Sequence, residues 1–408
     1  MSSPVATDPG DTVRAGSPSP SEPRPFEPRS CSRELRENEG TVRKRLLWAA
    51  AAIGLLFLLG ACAPNATQDT LQPQGPFAQK LKDLFIPVFW VAVGVFVIVE
   101  GAIVWISIRF RHRKGRERMP AQTHGNTRLE IGWTIAPALI LAGVMVPTIA
   151  TIWDLARKPP DDALNVTVRG FQWWWGFEYT DEDMRADYGE GEQIQTADVL
   201  VIPEDRVVYL SLVGAGGQIK KNDPADSDYM VIHSFWIPEL AGKQDVVPGR
   251  TNHILMQADH PGMYEGQCAE FCGLQHGRML VRVRALSADD WDAWVSNHKD
   301  PAATPSDPLA TKGMGLFMGQ LSDGRGSCIE CHAIGGTDAG GVAGPNLTHF
   351  ADPTHECFAG CIWETKDREA LEAWLRNPDA VKMGSKMPNY QLTQEEIDAL
   401  VAYLYSLK

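Results

Sequence analysis

This 408-residue chain is short of positive charge: 38 lysines and arginines stand against 51 aspartates and glutamates, a net of −13 at pH 7. That balance offers no broad basic surface for a phosphate backbone, so nucleic acid is not an expected partner. Histidine is scarce too, at ten, and neither of the long apolar runs, Leu84 to Ile108 and Trp133 to Trp153, holds one. A multi-histidine metal site inside a membrane is therefore excluded for this chain alone. Those same runs almost lack charge, with Glu100 the single exception. Of the eight cysteines, six fall in three closely spaced pairs, Cys268/Cys272, Cys328/Cys331 and Cys357/Cys361, leaving Cys31 and Cys62 apart.

Each apolar run meets the requirement of about 20 residues for a membrane-spanning helix. Between them stand Arg109, Arg111, Arg113, Lys114, Arg116, Arg118 and Arg128, which mark a cytoplasmic loop and turn both outer ends of the hairpin to the periplasmic or extracellular side. Glu100, an acid within a span, is expected to face a helix bundle and find a partner there. Upstream, Arg43-Lys44-Arg45 precedes the shorter run Leu46 to Leu59 and then Leu-Gly-Ala-Cys62, the layout of a lipoprotein signal. Cleavage there would make Cys62 a lipidated N-terminus in a bacterial plasma membrane; an uncleaved anchor is the alternative. Residues 1–40, rich in Pro, Ser and charge, read as a disordered extension, and Val42 is an alternative start.

The most informative string is GQCAEFCGLQHGRM, which carries Cys268, Cys272, His276 and Met279, with His233 upstream in His-Ser-Phe-Trp. Two thiolates at this spacing can bridge one pair of metal ions, with an imidazole ending each ion and a thioether as a weak axial contact. The Glu270 carbonyl, between the cysteines, can complete the second ion. The set reads as a binuclear copper electron-transfer centre. A disulfide is the competing account of the pair alone, and zinc that of the cluster, but zinc rarely takes methionine.

The strings HSFWIPELAGKQDVVPGR, PGMYEGQCAEFCGLQHGRM and GFQWWWGFEY resemble subunit II of haem-copper cytochrome c oxidases, in order from about Leu81 to Leu286. The resemblance implies copper ligation by His233, Cys268, the Glu270 carbonyl, Cys272, His276 and Met279. It also implies a magnesium ion held by the Glu270 carboxylate at the boundary with subunit I. Aligned through Gln172 and Tyr179, Trp173 matches the residue that receives the electron above the copper pair, while Trp175 and Tyr179 read as packing. Glu130, three residues before Trp133, matches an acid at the mouth of a proton path; a solvated helix cap is its ordinary reading.

Cys328-Ile-Glu-Cys331-His332 is the Cys-x-x-Cys-His pattern of covalent haem c attachment, with His332 as the proximal ligand. Gly344-Pro-Asn-Leu and Lys386-Met387-Pro388-Asn389-Tyr390 resemble the proximal and distal loops of cytochromes c, which makes Met387 the sixth ligand and Met383 the alternative. Expected helices run from Ala310 to Leu321, from Arg368 to Arg376, and onward from a capping box of Thr393 and Glu396. Cys357 and Cys361, which the resemblance does not place, are expected to form a disulfide, with a metal site as the alternative.

Alternating runs at Leu164 to Arg169, Val207 to Val213 and Met279 to Ala285 read as strands, with Gly214 to Asp228 a polar insertion. The expected whole is a multidomain membrane protein: a two-helix transmembrane hairpin, an all-β cupredoxin-like Greek-key domain and an all-α class I cytochrome c domain. Its expected segments are the extension (1–40), signal (41–61), periplasmic linker (62–82), hairpin (83–155), copper domain (160–290), semi-extended linker (300–308) and cytochrome domain (309–408). By resemblance this is a caa3-type, proton-pumping arrangement, in which electrons pass from a donor cytochrome c or membrane complex to haem c, copper A and the oxygen-reducing site of subunit I, with subunit III alongside. A copper-containing nitric oxide reductase subunit is the principal alternative. A quinol oxidase subunit would lack the copper ligands, and a copper-handling lipoprotein would not explain the haem motif.

Overall fold

The computed structural model describes residues 44–56, 66–111, 122, 124–188, 192–214, 231–319, 321 and 325–408. The expectations for residues 1–40, for Cys31 and Cys62, for most of the loop arginines and for most of the polar insertion lie outside these. Residues 44–56 form a helix within a unit of their own, and a second, larger unit holds residues 66–408.

The larger unit begins with two long helices, α1 (Pro76–Arg109) and α2 (Thr127–Leu155), both with large apolar side chains left open, Ile98 at 72% and Leu139 at 68% exposure among them. Such surfaces suit lipid rather than water, and both helices exceed the length a bilayer needs. Asn126 caps α2 by accepting from the amides of Arg128 and Leu129. Lys80 and Asp154 join the outer ends of the pair in a salt bridge. The start of α1 is seated in the next domain: Phe77 and Ala78 are buried, Gln74 N–H donates to Glu239 O at 2.7 Å and Asp259 N–H to Gln74 O at 2.9 Å. That seating fixes the β domain over one end of the hairpin.

The β domain is two five-stranded sheets face to face. One has the order β3 (Gln195–Ala197), β2 (Trp174–Tyr179), β1 (Leu164–Phe171), β5 (Val208–Gly214), β8 (Thr251–Met256). The other has β4 (Val199–Pro203), β10 (Leu280–Leu286), β9 (Gly262–Cys268), β6 (His233–Trp236), β7 (Lys243–Val246). Half of the neighbouring pairs are non-consecutive, β1 with β5, β5 with β8, β4 with β10 and β9 with β6, as Greek-key crossovers require. Alternation works as expected: in β1, Leu164, Val166 and Val168 point inward between half-buried polar partners. Tyr179 spans the sheets, its hydroxyl donating to Val201 O at 2.7 Å and accepting from Val201 N–H at 2.9 Å.

A helix that the sequence reading did not anticipate, α3 (Ala288–Lys299), comes after β10, capped by Ser287 and burying Trp291 and Trp294 against Tyr179. The last domain is helical: α4 (Pro308–Met318), α5 (Arg368–Arg376), the short α6 (Pro378–Val381) and α7 (Gln394–Leu404). α4 ends at Met318, sooner than Leu321, where Gly319 takes an extended conformation. The Thr393/Glu396 capping box is present, and α4 and α7 cross at Gly313, where a Cβ would stand 1.9 Å from Ala399 O. Residues 300–308 do not hang free: Ala302 N–H donates to Gly335 O at 3.3 Å.

Candidate metal centre and haem site

β6 delivers His233, β9 ends on Cys268, and the loop into β10 supplies the rest. Cys268 Sγ and Cys272 Sγ lie 3.8 Å apart and unbonded, far beyond the roughly 2 Å of a disulfide. His233 Nδ1 is 3.8 Å from Cys268 Sγ; His276 Nδ1 and Met279 Sδ are 3.7 and 3.8 Å from Cys272 Sγ. The Glu270 carbonyl oxygen is 3.2 Å from Cys268 Sγ. All six expected donors thus converge, and ligand atoms of His233, Cys268 and Cys272 lie within 4.8 Å of one another.

His233, Cys268, Cys272 and Met279 are all buried, so this is a dry pocket of soft donors, a chemistry that fits copper. The contact between the two sulfurs pulls the Cys268 thiol below its usual range and pushes the Cys272 thiol up. The Glu270 carboxylate points elsewhere, accepting from Phe271 N–H at 3.1 Å.

Trp173, in the turn between β1 and β2, packs against this loop, with Trp173 Nε1 and Gln172 Nε2 donating to Cys272 O at 2.9 and 2.8 Å. Its neighbour Trp175 is fully buried among Phe235 and His233.

In the helical domain, Cys328–Glu330 form a short turn and His332 comes next, its N–H donating to Cys328 O at 3.0 Å. Both thiols are free, and burial pushes Cys328 up to about 11. His332 Nδ1 donates to Pro345 O at 2.9 Å, which fixes the tautomer and leaves Nε2 as the acceptor lone pair that haem iron needs. Burial lowers the His332 pKa, favouring the neutral, ligating form. Gly344 is the only residue type that fits beside it, since a Cβ would fall 2.6 Å from His332 Cε1. Met387 is partly buried against the same core as Cys328, whereas Met383 is 59% exposed and its carbonyl accepts from Gln275 Nε2 at 2.8 Å. These residues fit a covalently held haem.

Glu130 sits apart from both sites, in the first turn of α2, where its Oε1 accepts from Asn126 N–H at 3.2 Å. Cys357 and Cys361 are disulfide-bonded. Sequence reasoning missed Asp198, Lys382 and Gly360, which meet beside Trp173; nothing in their local sequence signals a role.

Fold and site together define a membrane-anchored cupredoxin with a two-thiolate soft-metal centre, carrying a c-type cytochrome domain on the same chain. The family model described as Cytochrome C oxidase subunit II, transmembrane domain, matches residues 64–151. Its periplasmic-domain counterpart matches 164–286, and the model Cytochrome c matches 297–408. Cytochrome c oxidase subunit 2 of Alkalihalophilus pseudofirmus is 37% identical over 359 residues, 86% of this chain and 94% of that protein. The subunit of the same name from Bacillus sp. strain PS3 is 36% identical over 393 residues, 91% and 99% of the two chains. The chain belongs to the cytochrome c oxidase subunit II family, with a cytochrome c domain fused at its C-terminal side. It is held in the membrane by α1 and α2, with the copper-type and cytochrome domains outside.

Proposed function

We propose that this chain takes electrons from a donor, a cytochrome c or a respiratory membrane complex, and delivers them to the haem-copper site of subunit I, where oxygen is reduced to water and protons are pumped. The observation that carries this reading is the convergence of His233, Cys268, Glu270 O, Cys272, His276 and Met279 on two unbonded sulfurs 3.8 Å apart. When bound, a binuclear copper pair and a haem c would supply the one-electron carriers, the first on these six donors, the second on Cys328, Cys331, His332 and Met387.

The protein's part is to hold those donors still. Burial keeps water from the sulfurs, the Pro345 carbonyl orients His332, and Trp173 ties the electron entrance to the backbone of Cys272. The Glu270 carboxylate is the proposed contact to magnesium at the boundary with subunit I, and Glu130 the proposed opening of a proton path. Subunit III is a further expected neighbour, and Cys62 the proposed site of a lipid anchor.

Electron paramagnetic resonance of the oxidised chain, matured with haem and loaded with copper, tests the reading. A hyperfine pattern from one electron shared by two copper nuclei, beside a low-spin haem signal, is expected. A mononuclear copper pattern would overturn it.

A further inference from the structure

Between the copper and cytochrome domains lies a group of buried charges that neither site uses. Lys382, just ahead of Met387, is 3% exposed. Its ammonium donates to the backbone carbonyls of Trp173 at 2.7 Å and Ala359 at 2.6 Å. Asp198 of the copper domain, also 3% exposed, accepts from Trp175 N–H at 3.0 Å and Gly360 N–H at 2.7 Å. Ala359 and Gly360 form the tip of the loop that the Cys357–Cys361 disulfide closes.

That tip is wedged into the copper domain. A Cβ on Gly360 would lie 2.6 Å from Lys382 Nζ, 2.7 Å from Trp173 O and 2.9 Å from Arg278 O, and its φ of +77° itself favours glycine. Gly360 O accepts from Leu280 N–H at 3.0 Å, next to Met279. Arg278 and Arg282 hold the rim, the first donating to Val381 O at 2.9 Å, the second to both Glu364 oxygens at 2.6 and 2.9 Å. Gly384 covers the Trp173 ring, where a Cβ would already stand 3.2 Å from Trp173 Cη2.

Burying an ammonium and a carboxylate is costly unless both are fully partnered, so apolar side chains would join these domains with less penalty. What buried charge adds is one permitted register, because any sliding leaves an ion without its partners. The register selected here puts Trp173 against the segment that leads to Met387.

We propose that Lys382 and Asp198 are positioning residues: a buried clasp that locks the cytochrome domain onto Trp173 and reserves that entrance for the chain's own haem. The clasp rests on the reading under Proposed function for its purpose, though not for its geometry. One electron crosses per event, the donor side losing it and the acceptor side gaining it, with no bond or proton changed. The first-order rate therefore tracks the docked fraction.

The test uses the full chain in its oxidase, as wild type, Lys382→Met and Gly360→Ala; the second variant wedges the seam while keeping both charges. In both variants the haem absorbance and copper resonance should match wild type. Electron transfer from haem to copper after flash reduction should slow by about tenfold and become viscosity-dependent. The amides of Trp175, Leu280 and Gly360 should exchange hydrogen about tenfold faster, in the metal-free chain as well, while α4 and α7 keep their protection. Unchanged transfer rate and exchange in Gly360→Ala would overturn the clasp, whatever Lys382→Met does. Absent haem or copper signals in wild type would instead overturn the functional reading, and exchange in the metal-free chain would still decide the clasp.

Discussion

Acid should loosen the seam between α3 and the cytochrome domain, and His298 is the group to watch. Its residue is 3% exposed, its Nδ1 donates to Trp294 O at 3.0 Å, and its ring lies 4.3 Å from those of both Trp294 and His349. Burial first, then the neighbouring His349, holds its folded pKa down to about 3, against the pull of Asp352 and the Trp294 carbonyl. An unfolded histidine protonates near 6.5. The folded chain thus keeps His298 neutral where the unfolded chain binds a proton. Stability from this group is complete above about pH 6.5 and is lost as pH falls from there toward the folded value, at about 1.4 kcal/mol per pH unit. At pH 5 the loss is about 2 kcal/mol. His355, whose pKa burial also lowers, adds in the same direction. Urea unfolding of the chain in detergent at pH 7 and pH 5, monitored by tryptophan fluorescence, measures the loss. His298→Gln should remove about 2 kcal/mol of the pH dependence. An identical dependence in variant and wild type would refute the linkage argument.

Cys272→Ser deletes the sulfur that touches Cys268, His276 and Met279, so the shared-electron copper signal should vanish and metal analysis should give fewer than two coppers per chain, with the haem spectrum intact. Met387→Ala should turn the haem high-spin while sparing copper, and Met383→Ala should do neither, as the 59% exposure of Met383 suggests; a high-spin shift in Met383→Ala alone would reassign the ligand. Gly313→Ala forces α4 and α7 apart, because its Cβ meets Ala399 O at 1.9 Å. It should cost the cytochrome domain about 1–3 kcal/mol, read as a lower melting temperature of the haem band with the copper signal unchanged.

What was legible in the sequence was local. The copper-type donors fall within one loop apart from His233, and the haem motif is contiguous, so spacing alone suggested their chemistry. The membrane helices showed through composition, α7 through its capping box, and the disulfide through its short separation in an exported domain. The three strands read from alternation, now β1, β5 and β10, were legible to within a residue or two, as β10 beginning at Leu280 rather than Met279 shows. α3 was missed although Ser287 caps it, because its exposed face is charged and the chain there reads like the start of a linker. The seam was not legible at all. Lys382 and Trp173 are 209 residues apart, and a lone lysine between short structural elements reads as a solvated side chain.

That seam changes the physics of the fusion. A tether of nine-odd residues between domains would raise the local concentration of haem to the millimolar range or so, yet each encounter would still have to find its orientation. Here residues 300–308 lie against the cytochrome domain, Ala302 N–H donating to Gly335 O at 3.3 Å, and a tether by itself sets no orientation. Orientation is set instead by directional contacts whose loss strands a charge: Lys382 to two carbonyls, Asp198 to two amides, Arg282 to both oxygens of Glu364. Hydrophobic contact resists separation but tolerates sliding, whereas these bonds resist sliding as well. On the proposed function, a docked haem domain would behave as part of the copper site's own scaffold, and a free donor would meet the cytochrome domain rather than Trp173, which is only 6% exposed.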